Sequence, residues 1–144
     1  MRPKEYLNQL RILNTKIENK LREVSDLKLM ATCTGSMGGD DVRVVSSPSG
    51  DGLVNKVVKY VELEEEINRE IDRFTDLKHQ IINQIHNIDN DLYIKILFKR
   101  YVEYKNLAFI SLEMNYSYER VRHLHGEALT EFAKVNNLTQ VSTQ

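Results

Sequence analysis

Arg120 and Arg122 flank Val121 in the run SYERVRHLHGEALTEF, and each guanidinium is a planar fork that fits two acceptors at once, on a guanine edge or on a phosphate. Glu119 beside them offers a carboxylate that can accept from the amino group of cytosine. Tyr118, His123 and Lys105 carry further donors suited to holding a strand backbone, and Ser117 is a natural cap for the helix that presents them. The chemistry of this set is recognition of double-stranded DNA rather than bond-making. At about 100° per residue, Val121, Leu124, Ala128 and Phe132 fall in one apolar stripe. Glu119, Arg122, His123 and Thr130 fall on the opposite side, free to enter a groove. The same charges would serve as an ordinary solvated face, since residues 91–135 hold seven basic and six acidic side chains.

Other chemistries fit poorly. His123 and His125 are two apart and point about 200° away from each other on a helix, and His79 and His86 have no second pair of ligands nearby. Glu62, Glu64, Glu65, Glu66 and Glu70 lie close in sequence, yet adjacent helical positions diverge, so they read as a solvated face. GSMGG at residues 35–39 lacks the Lys-Ser/Thr of a phosphate-binding loop. No nucleophile stands at a recognisable spacing from a base. The expectation is a non-enzyme without metal or cofactor. His125, near the apolar stripe, is expected to be a hydrogen-bonded packing residue.

The elements that must position the arginines are also legible. Asn106 can cap a helix of about two turns whose apolar positions are Leu107, Ile110 and Met114. Asn115 tolerates a left-handed backbone, so residues 115–117 form the turn. The result is a helix-turn-helix. A preceding helix with Leu92, Ile96, Leu97 and Tyr101 on its apolar side should pack beneath it, with Lys99 and Arg100 as solvated residues or phosphate contacts. Gly126 costs a helix roughly 1 kcal/mol against alanine, which implies close approach of a backbone or a neighbouring helix.

Ser117, Glu119, Arg120, Val121, Arg122, Leu124, Ala128 and Leu129 resemble the recognition helix of bacterial sigma-factor region four, a likeness that covers residues 91–134. Arg100-Tyr101 and the run His125-Gly126-Glu127-Ala128-Leu129 are similar to phage transcriptional regulators of the ArpU and RinA type, in which a long helical N-terminal part precedes a sigma-like module. That likeness spans most of the chain. It implies a site-specific regulator of phage late genes in a bacterial host cell, with RNA polymerase as a further partner. His125 and Gly126 depart from the sigma pattern, and no promoter −10 recognition region is present, so a complete sigma factor is not implied.

The remaining sequence describes an all-α protein. Tyr6, Leu10, Leu13, Ile17, Leu21, Val24 and Leu27 define an amphipathic helix over residues 4–29. Residues 30–52 hold five of the six glycines, Ser-Pro and Gly-Asp-Gly turn signals and a short β-branched run at 42–45, and read as a flexible linker. Leu53, Tyr60, Ile67, Phe74, Ile81 and Ile88 repeat every seven residues, joined by Val57, Leu63, Ile71, Leu77 and Ile85, so residues 53–87 form one long helix. At 1.5 Å per residue it spans about 50 Å and needs a partner helix along its length. Residues 1–88 are therefore expected as a coiled-coil-like helical hairpin, 89–135 as the helix-turn-helix module and 136–144 as a fraying polar tail. The stripe would serve an antiparallel hairpin within the chain or a homodimer equally well, and DNA-reading modules gain from pairing.

With 144 residues and a formal charge of −1, the chain can bury a core but cannot capture nucleic acid by bulk charge, so any DNA contact must be local. One cysteine, Cys33, excludes an internal disulfide, and no signal peptide or membrane span is evident, so a cytoplasmic protein is expected. Two functions stand side by side: a DNA-binding transcriptional regulator, and a helical adaptor that binds polymerase or another protein without reading DNA.

Overall fold

The computed structural model describes residues 1–33 and 50–138. The protein is all-α, with helices α1 (Pro3–Cys33), α2 (Gly50–His86), α3 (Asp91–Leu97), α4 (Leu107–Met114) and α5 (Tyr118–Val135), and a π-helical turn, Phe98–Val102, directly after α3. Among the described residues there is no strand. Two compact units result, one from Met1–Asn14 with the chain from Arg73 onward, the other from Thr15–Asp72. Because α1 and α2 are long, each contributes to both.

In the Thr15–Asp72 unit the two helices run antiparallel. Lys20 reaches Glu66 at 2.6 Å and Glu70 at 2.7 Å, while Lys28, further along α1, pairs with the earlier Glu64. Ile17, Val24 and Ile67 are buried between the helices. Ile17 and Val24 are seven residues apart and Ile67 belongs to the α2 heptad, so the core follows the repeat that predicted it. Pairing within one chain covers this part of the stripe. Leu21 and Ile71, counted in the stripe from sequence, are instead exposed at its edge: a two-helix seam is narrower than the spacing rule allows.

In the other unit, Tyr6 of α1 donates from its hydroxyl to Gln84 Oε1 at 2.9 Å and accepts from Gln80 Nε2 at 3.1 Å. Leu7 and Leu10 meet Ile81, Ile85 and Ile88 there, together with Leu97, Tyr101, Val102, Ala128 and Phe132. Leu97 and Val102 are five residues apart and share this core because the π turn, with its i→i+5 pattern, brings such positions to one side. A second cluster, Ile96, Ile110, Val121 and Leu124, locks α3, α4 and α5 together. The stripe expected on α5, Val121, Leu124, Ala128 and Phe132, is buried throughout.

Three boundaries differ from the sequence expectation. Residues 30–33 extend α1 and residues 50–52 open α2, so the ends of the predicted linker are helical. Its interior, residues 34–49, including GSMGG and the β-branched run, lies outside the described residues. The tail was expected from residue 136, yet Asn136 donates from Nδ2 to the carbonyls of Gln84 (3.1 Å) and Phe132 (3.0 Å), and Leu138 packs on the core. Residues 139–144 lie outside the described residues. Asn137 adopts φ 51°, and Leu138 N–H closes onto Ala133 C=O at 2.9 Å, a left-handed helix ending that brings the following apolar residue inward.

Candidate nucleic-acid interface

The helix ends around the turn explain how the face is held. Asn106 caps α4 by accepting from Phe109 N–H at 2.7 Å. At the other end Asn115 is left-handed (φ 56°, ψ 37°), Tyr116 N–H bonds Ser111 C=O at 3.1 Å, and Tyr116 packs on the second core cluster. This is the same ending that closes α5, with asparagine in both cases where glycine is commonest. Ser117 then caps α5, accepting from Arg120 N–H at 3.2 Å. Residues 115–117 thus form the expected turn. Ser111 is buried, and its hydroxyl bonds Ala108 C=O at 2.6 Å instead of seeking water.

On the outward side of α5, Glu119, Arg120, Arg122 and His123 are all exposed, as is Tyr118. Arg122 and Glu119 approach to 4.0 Å, one turn apart, which is a loose pair open to exchange. The Arg120 guanidinium lies over the Tyr116 ring, 5.1 Å from its centroid, so the ring orients the fork while leaving its edge exposed. His123 Nε2 sits 3.0 Å from Glu127 Oε1, and Tyr93 donates from its hydroxyl to the other Glu127 oxygen at 3.0 Å. That contact raises the Tyr93 pKa, because an ionised phenol would face the carboxylate.

Lys105 is placed differently from the rest. It bridges Glu113 at 2.8 Å and Glu103 at 3.0 Å, lies over the Phe109 ring at 5.5 Å, and its pKa is raised first by the hydrogen bond to Glu113 and then by that to Glu103. These pairs brace the segment before α4. Lys99 likewise pairs with Glu113 at 2.8 Å, and Arg100 donates to Lys105 C=O at 3.0 Å. These three basic residues hold the module's own chain together.

Gly126 also departs from expectation: among the described residues outside its own stretch of helix, a Cβ built there would meet nothing within 4 Å. The residues not anticipated for this face are Tyr116, Tyr93 and Glu127. Tyr116 stands four before Arg120 and Glu127 four after His123, a helical spacing that signals the second pair. Tyr93 is 34 positions from Glu127 and gives no local signal. Among the described residues, no group of three or more His, Cys, Asp or Glu could hold a metal ion, and no helix is long and apolar enough to cross a membrane. Compared with protein-family models, curated protein sequences and solved structures, the chain matched none.

Proposed function

We propose that the chain is a sequence-specific DNA-binding regulator of transcription, acting on phage or prophage late genes in the cytoplasm of a bacterial host, and that it reads double-stranded DNA with the outward face of α5. The observation that carries this reading is the exposed trio Glu119, Arg120 and Arg122 at the start of a helix capped by Ser117 and braced through Val121 and Leu124 against α4. A helix entering the major groove contacts base edges with its N-terminal residues, and these are the side chains found there. Tyr118 and His123 flank them as backbone contacts. The resemblance to sigma region four and to ArpU- and RinA-type regulators supports the same reading.

Near-neutral overall charge makes the binding local and specific rather than bulk. Enriching a randomised duplex pool on the protein, then titrating the enriched duplex against salt, tests it. Affinity should fall linearly on a log–log plot as counterions are released, and Arg122→Ala should lose base preference at one position, at a cost of about 1–3 kcal/mol. A protein that enriches no duplex sinks the reading.

A second reading, an adaptor for RNA polymerase or another protein, is favoured by α4. Its outer side exposes Phe109 at 47% and Leu112 at 76%, so the helix is apolar on the side that faces away from the core. Self-pairing has its own support: Val54, Val58 and Val61 leave an apolar seam along α2 at spacings of four and three. Sedimentation of the purified chain reads the second possibility directly, and Leu112→Asp in a polymerase pull-down reads the first.

A further inference from the structure

We propose that Gly126 is a duplex contact point, a gap in the outward face of α5 that seats an apolar C–H edge of DNA, either a thymine methyl or a deoxyribose. The inference rests on the DNA reading above and deepens it. Glycine is required inside a helix when φ is positive or when a neighbour leaves no room for a side chain. Neither holds here, since no described glycine has positive φ and the space outside Gly126 is open. Alanine would suit the isolated fold better, so the gap is accounted for by an approach from outside the chain.

Its position shows what approaches. Gly126 stands seven residues, two turns, after Glu119 and four after Arg122, in an open hollow walled by both and by His123, Glu127 and Thr130. At Gly126 itself no side chain projects, and the Thr130 hydroxyl beside it is turned onto Gly126 C=O at 3.1 Å; the donors of the hollow, Arg120, Arg122 and His123, stand on its walls. Glu127, the next residue, repels phosphate, and its carboxylate is held in place by the Tyr93 hydroxyl. A neutral C–H surface fits the gap at Gly126 beside the Glu127 carboxylate, whereas the donors on the walls of the same hollow, Arg120 and Arg122, take polar base edges.

Full-length Gly126→Ala and Arg122→Ala, with the duplex enriched on the wild type from a randomised pool, test the inference. The expected result for Gly126→Ala is a thermal midpoint raised by a few degrees together with affinity for that duplex lowered roughly tenfold. Replacing thymine by uracil in the duplex then separates the two edges. If a methyl sits in the gap, the wild type loses affinity on the uracil duplex and the alanine variant loses little more; if a deoxyribose does, the wild type binds both duplexes alike while the variant stays weak. Gly126→Ala that binds as tightly as the wild type overturns the inference, and if Arg122→Ala is impaired in the same assay the DNA reading survives without it. A wild type that enriches no duplex overturns both. A variant that loses self-association but not duplex affinity, or one whose midpoint falls, also overturns the inference, assigning the gap to a second copy or to the fold.

Discussion

The hydroxyl of Tyr101 and Nε2 of His125 share a 2.9 Å hydrogen bond, their rings nearly parallel at 26° with centroids 5.7 Å apart. The pair joins the π turn to α5 inside the core, and both residues are buried. Burial pushes the His125 pKa down to about 4, helped by the positive charges of Arg100 and Lys4, and pushes Tyr101 up to about 12. Both rings are therefore neutral at physiological pH, and the phenol donates when the imidazole proton is on Nδ1.

This pair makes stability pH-dependent on the acid side. The folded pKa of His125 lies below the ordinary value, so the unfolded chain binds the proton first; the contribution is complete above about pH 6.5 and is lost as pH falls toward 4. After allowance for solvent screening at the edge of the core, the loss is on the order of 2 kcal/mol. Thermal midpoints measured from pH 7 to pH 4 should fall, and His125→Phe should flatten this part of the profile. An unchanged slope in that variant would remove His125 as the cause.

Loss of the α5 cap should be felt in stability and in DNA binding alike. Ser117→Ala frees Arg120 N–H and should cost about 1 kcal/mol in urea unfolding. Two residues earlier, at the end of α4, Asn115→Gly should be close to neutral, whereas Asn115→Val forces a β-branched side chain into a left-handed backbone and should cost more than the lost cap. Equal effects of the two Asn115 variants would contradict the described turn.

Phe132 is fully buried and lies 6.3 Å from the Tyr6 ring, so it links the last turns of α5 to α1. Phe132→Ala should destabilise by roughly 3–5 kcal/mol. Leu112→Ala, on the exposed side of α4, should change stability by no more than about 0.5 kcal/mol. Chemical denaturation of both variants checks the contrast.

On the proposed DNA reading, Glu119 should separate specificity from affinity. Removing its exposed carboxylate with Glu119→Gln should leave the fold intact, since its approach to Arg122 is only a 4.0 Å surface pair. Duplex binding should then strengthen slightly without sequence preference while discrimination at one cytosine relaxes. Selection of binding sites with this variant reads both, and an unchanged site profile would take Glu119 out of the recognition set.

The apolar periodicities of α2 and α5 were enough to place their buried faces, because a helix that must hide one side writes that side every three or four residues. Asn106, Asn115 and Ser117 likewise marked their caps and turn, since each acts on backbone groups within three residues. Local chemistry of this kind is legible in a single chain read end to end. What depends on distant residues was not. Lys105 has the type of a phosphate contact, and that the fold also brings the Glu113 carboxylate to it could not be read, because an ion pair between residues eight apart leaves no periodic trace. Tyr93 fixing Glu127 is equally silent.

By itself, then, the sequence determined an all-α chain, the faces its helices bury and the trio Glu119, Arg120 and Arg122 that faces outward, because side-chain period and capping are properties of short segments. Only the tertiary structure decided that Ile67, Ile81 and Ile85 of α2 are buried within one chain, that Asn136 and Leu138 dock instead of fraying, and that no described residue fills the space outside Gly126. Those outcomes depend on which surfaces meet across tens of residues, and burial free energy is settled by that meeting rather than by any one helix.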